Sequence, residues 1–230
     1  MEPVIRDVDL LLEVVGTSRP APGYLNVAFA RPAHFDYLPG DWIEFAFDPH
    51  RRGGPVYSLS SSPTESDLVI TFREGVSEIK RLLTAVQPGD RLRVVEFGND
   101  YGFTLKQHRS SVLIAGGVGV APFRSMLKEV ADTGSGNNVQ LIYMNQTDDF
   151  LFRDEFDEWA RQDSSISVIY ITTADVKRKD RERMVNESIT PGAADFYVSG
   201  PPGMVDSTVR LLTVNGVPSQ RVKVDRFDGY

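Results

Sequence analysis

The stretch Ser111–Met126, SVLIAGGVGVAPFRSM, decides how the chain is organised. Its apolar run Val112–Ala115 stops at Gly116, Gly117 and Gly119. Pro122 then opens a segment in which Val120, Phe123, Met126, Leu127 and Val130 recur at helical spacing. This pattern predicts a strand, a glycine turn and a helix start. Glycines let backbone run close to a bulky anion, and the unpaired N–H groups at a helix start, with the positive dipole end, favour phosphate. A nucleotide site is the functional expectation, against the plainer alternative of an ordinary strand-to-helix turn.

Downstream of that stretch the rhythm continues as strand and helix in alternation. Strands are predicted at 112–115, 139–144, 167–172, 195–198 and 221–224, with helices at 121–133, 153–162 and 203–215. Continuous apolar strands between amphipathic helices indicate a doubly wound parallel α/β sheet of five strands. Ligands of such sheets sit beyond the carboxyl ends of the strands, where chain direction switches. The charged run Lys177–Arg183 reads as a solvated loop.

Upstream the pattern is different, with short β-prone runs at 10–15, 24–30, 42–47, 56–60, 68–73 and 91–95 separated by Pro-Gly and Gly-Asp breaks. Six strands at this spacing predict an antiparallel barrel. A single helix is expected over 77–86, where Ile79, Leu82, Leu83 and Val86 share a face and Ser77 can cap its start. The fold class is therefore β plus α/β: a barrel domain over residues 1–107 and an α/β domain over 108–230.

Bulk properties narrow the function. The net charge is −7, split as −4 before Gln107/His108 (11 basic against 15 acidic residues) and −3 after it (14 against 17), so neither half is built for a nucleic acid. The absence of cysteine excludes disulfides, thiolate zinc sites, cysteine nucleophiles and Cys-ligated iron–sulfur clusters within this sequence. His34, His50 and His108 lie too far apart for metal-ligand spacing, and no metal site is expected. No apolar run approaches the ~20 residues of a membrane span, and a cytoplasmic enzyme is the expectation.

In this order the motifs resemble those of the ferredoxin–NADP reductase family. GGVGVAP is similar to the family's GGxGxxP turn, Val56–Pro63 (VYSLSSSP) to its RxYSxxS flavin motif, and Arg73–Ser77 (REGVS) to its GxxS-type turn. Tyr197–Met204 (YVSGPPGM) is similar to its CGPPxM turn, and Val224–Tyr230 (VDRFDGY) to its C-terminal acidic residue, spacer and aromatic ring. The resemblance implies an FAD-binding barrel, with FMN as second choice, joined to an NAD(P)-binding domain without an iron–sulfur domain. It places Tyr57, Ser58, Leu59 and Ser60 on the flavin and Arg73, Gly75, Val76 and Ser77 on its pyrophosphate. It places Gly117, Gly119, Pro122, Gly200, Pro201 and Met204 on the nicotinamide nucleotide, with Thr172, Lys177 and Arg178 towards its adenosine end. Phe227 or Tyr230 would stack on the flavin, and Ser58, Ser199, Asp225 and Phe227 are the implied catalytic set.

Three positions depart from that pattern. Pro55 stands where the family has the arginine that holds flavin phosphate, which leaves Arg51 or Arg52 as substitutes. Ser199 replaces the usual cysteine, implying slower or differently tuned hydride transfer, and Asp225 is one methylene shorter than the usual glutamate. The implied reaction is hydride transfer between NAD(P)H and bound FAD, with electrons passed to or from a one-electron acceptor such as ferredoxin or flavodoxin. The partner would be a small electron carrier or an iron–sulfur or haem protein. The alternatives are the reductase component of a multicomponent oxygenase or membrane electron chain, and a nucleotide-sensing or electron-relay subunit without turnover. NADH or NADPH preference stays open.

Overall fold

The computed structural model describes residues 4–46, 54–99, 102–187, 189 and 194–227. Among these residues the strands form two sheets, one of six strands in the order β4-β3-β6-β1-β2-β5 and one of five in the order β11-β10-β7-β8-β9. The first comprises β1 (Val4–Ser18), β2 (Tyr24–Ala30), β3 (Trp42–Ala46), β4 (Val56–Ser58), β5 (Asp67–Arg73) and β6 (Arg91–Asn99), with α1 (Glu78–Ala85) between β5 and β6. All its pairings are antiparallel.

Alternation along these strands builds the barrel interior. In β2, Leu25, Val27 and Phe29 are buried while Tyr24, Asn26 and Ala28 are only partly so, the pattern of an antiparallel sheet with one solvated face. They meet Leu12, Val14, Ile43, Phe45, Tyr57, Leu59, Ile70 and Phe72 in one apolar cluster. An antiparallel bridge from Leu59 to Ile70 brings the end of β4 against β5, so the two edges of the sheet meet and the barrel is nearly closed. The serine-rich run predicted as strand through Ser60 is strand only to Ser58: Leu59 still donates its N–H to the Asp41 carbonyl beside β3 while bridging Ile70 of β5, and the Ser60 N–H donates to Val69 O of β5.

The second sheet holds β7 (Ser110–Gly116), β8 (Val139–Asn145), β9 (Ile166–Thr172), β10 (Ala194–Gly200) and β11 (Val222–Arg226), all parallel. Its two faces separate residue by residue. Leu113 and Ala115 of β7 join the cluster under α2 (Ala121–Thr133) and α3 (Arg153–Gln162), whereas Val112 and Ile114 join the cluster under α4 (Arg178–Glu187) and α5 (Pro202–Val214). This three-layer packing explains why the parallel strands read as continuous apolar runs. Gly134, at φ +59, ends α2 in the left-handed conformation that glycine adopts without strain.

The run Lys177–Arg183, expected as a charged loop, lies largely in α4. Val185 is buried on its sheet-facing side, and that packing outweighs the polar composition. No helix among the described residues is long and apolar enough to cross a membrane.

Candidate functional site

The strand order places the topological switch point between β7 and β10: the chain runs outward through β8 and β9, then returns to the other side of β7. Two loops meet there. After β7, Gly117–Val120 forms a short 3-10 turn that leads directly into α2, with Ala121 and Pro122 at its start. After β10, Gly200 (φ +146) lies against it so closely that a Cβ on Gly119 would fall 2.5 Å from the Ser199 carbonyl oxygen and 2.6 Å from Gly200 Cα. Gly119 is thus required by backbone-to-backbone packing. Gly117 differs: at φ +53 its added Cβ would point into open space, with Asn145 Oδ1 and Tyr24 Oη each 4.0 Å away.

Two clefts open at this junction. The barrel-side cleft, about 490 Å³, is lined by Trp42, Pro55, Tyr57, Ser58, Ser77 and Lys80 from the barrel, and by Val118, Asp225 and Phe227 from the sheet. The sheet-side cleft, about 500 Å³, is lined by Tyr24, Arg73, Gly116, Gly117, Asn145, Gln146, Thr147, Arg181, Pro201 and Met204. Val118 and Phe227 border both. The backbone of Phe227 is pinned at that position by its N–H, which donates to the Gly200 carbonyl at 3.0 Å.

Within the barrel-side cleft, Ser58 Oγ donates to Asp225 Oδ2 across the two sheets at 3.4 Å, and register places Asp225 beside Ser199. Ser77 caps α1 by accepting the Lys80 N–H at 3.4 Å. Lys80 folds back towards the turn, where a Cβ on Gly75 would lie 3.5 Å from its Nζ. Burial, with Arg73 close by, holds the Lys80 ammonium below its ordinary range. On the sheet side, burial pushes the Tyr24 phenol up, opposed by Arg73.

The sequence-predicted residues divide three ways. Tyr57, Ser58, Ser77, Asp225 and Phe227 converge on the first cleft, and Arg73, Gly117, Pro201, Met204 and Phe227 on the second. Tyr57 borders its cleft from the barrel interior, its ring packed on Phe45 and Phe72 with centroids 6.0 and 5.6 Å away. Leu59 is sealed in the barrel core. Ser60 is equally buried, donating from Oγ to Val69 O and accepting from Thr71. Gly119, Pro122, Ser199 and Gly200 are buried where the loops cross. Val76 is exposed at the turn before α1, Thr172 ends β9 paired with Asn145, Lys177 is exposed, and Arg178 opens α4. Arg51, Arg52 and Tyr230 lie outside the described residues.

Sequence reasoning missed Asn145–Thr147, and from the basic run 177–183 it singled out Lys177 and Arg178, whereas Arg181 is the member of that run that lines the cleft. Asn145 ends β8 and Gln146 and Thr147 follow it at the carboxyl edge of the sheet, a position that would have marked them once the strand was placed.

The donor set suits a flavin and a nicotinamide nucleotide. A fully buried Ser199 Oγ has no hydrogen-bond partner among the described residues. The space before Gly117 is of the kind a side chain would fill, and the first cleft combines an aromatic wall, hydroxyls and an ammonium at a helix start.

Comparison with known proteins agrees. The model of the oxidoreductase NAD-binding domain matches residues 113–210. The 2-halobenzoate 1,2-dioxygenase electron transfer component of Burkholderia cepacia is 32% identical over 204 residues, covering 84% of this chain and 59% of that one. The FAD/NAD-binding domain of the Vibrio cholerae nitric oxide dioxygenase superposes with a TM-score of 0.78 at 22% identity, over 96% of this chain and 99% of that one. The ferredoxin–NADP⁺ reductase of Plasmodium falciparum superposes with a TM-score of 0.79 at 16% identity, over 95% and 96%. These two share the fold. The chain spans about three fifths, 59%, of the length of the oxygenase reductases it matches.

Proposed function

The chain belongs to the ferredoxin–NADP reductase-like oxidoreductases, and from that premise we propose that it carries electrons from a reduced nicotinamide nucleotide, through FAD, to a one-electron acceptor. FAD is assigned to the barrel-side cleft and the nucleotide to the sheet-side cleft, with the chain dividing at Gln107/His108 into units of residues 1–107 and 108–230. The observation that carries this reading is the pair of walls, Val118 and Phe227, common to both clefts. A ligand in each would meet at those two residues, which is the proximity a direct hydride transfer needs.

Bound FAD supplies an acceptor for a hydride and a means of releasing two electrons one at a time. The protein's own groups place and shield. Gly116 and Gly117 bring backbone against the nucleotide's pyrophosphate without side chains in the way. Phe227, pinned through its N–H on Gly200, covers the junction until the nicotinamide ring displaces its side chain. Ser58 and Asp225 hold a proton between them at the cleft wall. Lys80 and the N–H groups capped by Ser77 face the flavin pyrophosphate, in place of the arginine that Pro55 replaces.

These 230 residues hold no cysteine and so no Cys-ligated cluster, and the one-electron acceptor is an iron–sulfur, haem or flavin centre outside them. A role as the reductase component of an oxygenase is favoured by the dioxygenase electron transfer component among its relatives. Purified protein incubated with FAD is expected to turn yellow and to bleach when NADH or NADPH is added under anaerobic conditions. A colourless protein that retains neither FAD nor FMN would overturn the proposal.

A further inference from the structure

Arg124 sits in the second turn of α2 with its side chain 11% exposed, and each of its five N–H groups has an acceptor. Nη1 donates to the Ser60 carbonyl at 2.9 Å and to Glu65 Oε2 at 2.9 Å, and Nη2 to Glu65 Oε1 at 3.1 Å. Nε donates to Glu155 Oε2 at 2.9 Å, and Nη2 also reaches the other Glu155 oxygen. The rings of Phe152 and Trp159 cover the guanidinium at 5.3 and 5.8 Å. Burial opposes the charge, but Glu155 and Glu65 outweigh it and hold the guanidinium protonated.

Each segment held by this side chain leads within a few residues to a wall of a cleft. Ser60 lies two residues after Ser58 of the barrel-side cleft. Arg124 itself lies in the helix that begins at the Gly117–Val120 turn. Glu155 lies in the first turn of α3, a few residues after Asn145, Gln146, Thr147 and Asp149, which line the sheet-side cleft. The neighbouring Ser125 repeats the tie, donating from Oγ to the Ser61 carbonyl at 2.6 Å, and Thr64 reaches Asp132 further along α2.

We propose that Arg124 is a positioning residue for hydride transfer, fixing the separation between the Tyr57–Ser58 wall and the Gly116–Val118 turn. The proposal rests on the assignment of FAD and nucleotide to the two clefts. Lysine in its place keeps the charge but presents no planar fork, so it cannot hold two carboxylates and a carbonyl at once. Because a misplacement of about 1 Å can cost ~100-fold in rate, a small shift between the walls would appear in the transfer step ahead of any binding constant.

The test is anaerobic single-turnover reduction of FAD-loaded wild-type, Arg124→Lys and Glu155→Gln proteins, alongside FAD and nucleotide dissociation constants and thermal midpoints. The expected result is a limiting transfer rate reduced at least ~10-fold in Arg124→Lys and less in Glu155→Gln, with both dissociation constants within about twofold of wild type. A wild-type limiting rate in Arg124→Lys, or a loss confined to FAD retention or thermal midpoint, would overturn the proposal and leave Arg124 a structural tie. If Arg124→Lys does not fold, the decision passes to Glu155→Gln, where an unchanged limiting rate is equally fatal. Failure of the wild-type protein itself to reduce its flavin would instead defeat the cofactor assignment.

Discussion

A methyl group on Gly119 would lie 2.5 Å from the Ser199 carbonyl oxygen and 2.6 Å from the backbone nitrogen of Gly200, and neither loop has a flexible side chain that could yield. Gly119→Ala is therefore expected to destabilise the protein by about 3 kcal/mol or more, measured by urea unfolding. Gly203 provides the contrast: nothing lies within 4 Å of its added Cβ, and Gly203→Ala should be neutral or stabilising by about 0.5 kcal/mol. Equal stability of the two variants would contradict the packing described. In the sequence both glycines stand in motifs that resemble the family's nucleotide turns, and no local feature distinguishes them. The reason for Gly119 is a contact with a segment some eighty residues away, which only the folded chain supplies.

At the level of elements, α2 and α4 show what made a helix legible. Ala121, Phe123, Met126, Leu127 and Val130 of α2 are all buried, so the apolar stripe was visible in the sequence, and its predicted span agrees with the structure. In α4 only Val185 reaches the core among the described side chains, with Met184 beside it, and the surrounding charges hid the helix. The strands of both sheets were legible for the same reason, since burial on one face or on both leaves alternation or a continuous run. What stayed illegible was how loops meet: Leu59 and Ser60 were expected on the flavin because they follow Tyr57 and Ser58, yet they cross to β5 and close the barrel.

The helix also carries a functional consequence. Arg181 reaches the sheet-side cleft from α4, and no hydrogen bond or ion pair occupies its guanidinium among the described residues. A charge-assisted hydrogen bond to a nucleotide phosphate contributes about 1.5 to 3 kcal/mol. Arg181→Gln is thus expected to weaken nucleotide binding at least ~10-fold in a titration of the FAD-loaded protein. An unchanged dissociation constant for both NADH and NADPH would remove Arg181 from the site.

For the molecule as a whole, the two sheets are joined by Arg124, Ser125, Thr64 and the Ser58–Asp225 bond, and buried phenols stand close to that seam. Tyr37 meets Ser61 Oγ at 3.1 Å, and Tyr197 donates to the Thr104 carbonyl at 2.7 Å. Burial pushes each of these phenols up to about 12. In the unfolded chain a tyrosine ionises near pH 10, so the unfolded state releases its protons first as the pH rises. Stability from these groups is fully present below about pH 10 and is lost between about 10 and 12. Tyr37→Phe should therefore flatten the alkaline limb of a stability–pH curve relative to wild type, and an unaltered limb would contradict the burial assigned to Tyr37.

Direct hydride transfer follows from the proposed meeting of the two cofactors at Val118 and Phe227. Its most direct test is anaerobic stopped-flow reduction of the FAD-loaded protein at saturating nucleotide, comparing ordinary NADH and NADPH with nucleotide deuterated at the transferred position. The expected result is first-order bleaching of the bound flavin by at least one nucleotide, slowed by deuterium. Flavin that stays oxidised with both nucleotides, or bleaching at a rate that deuterium leaves unchanged at saturation, would contradict it.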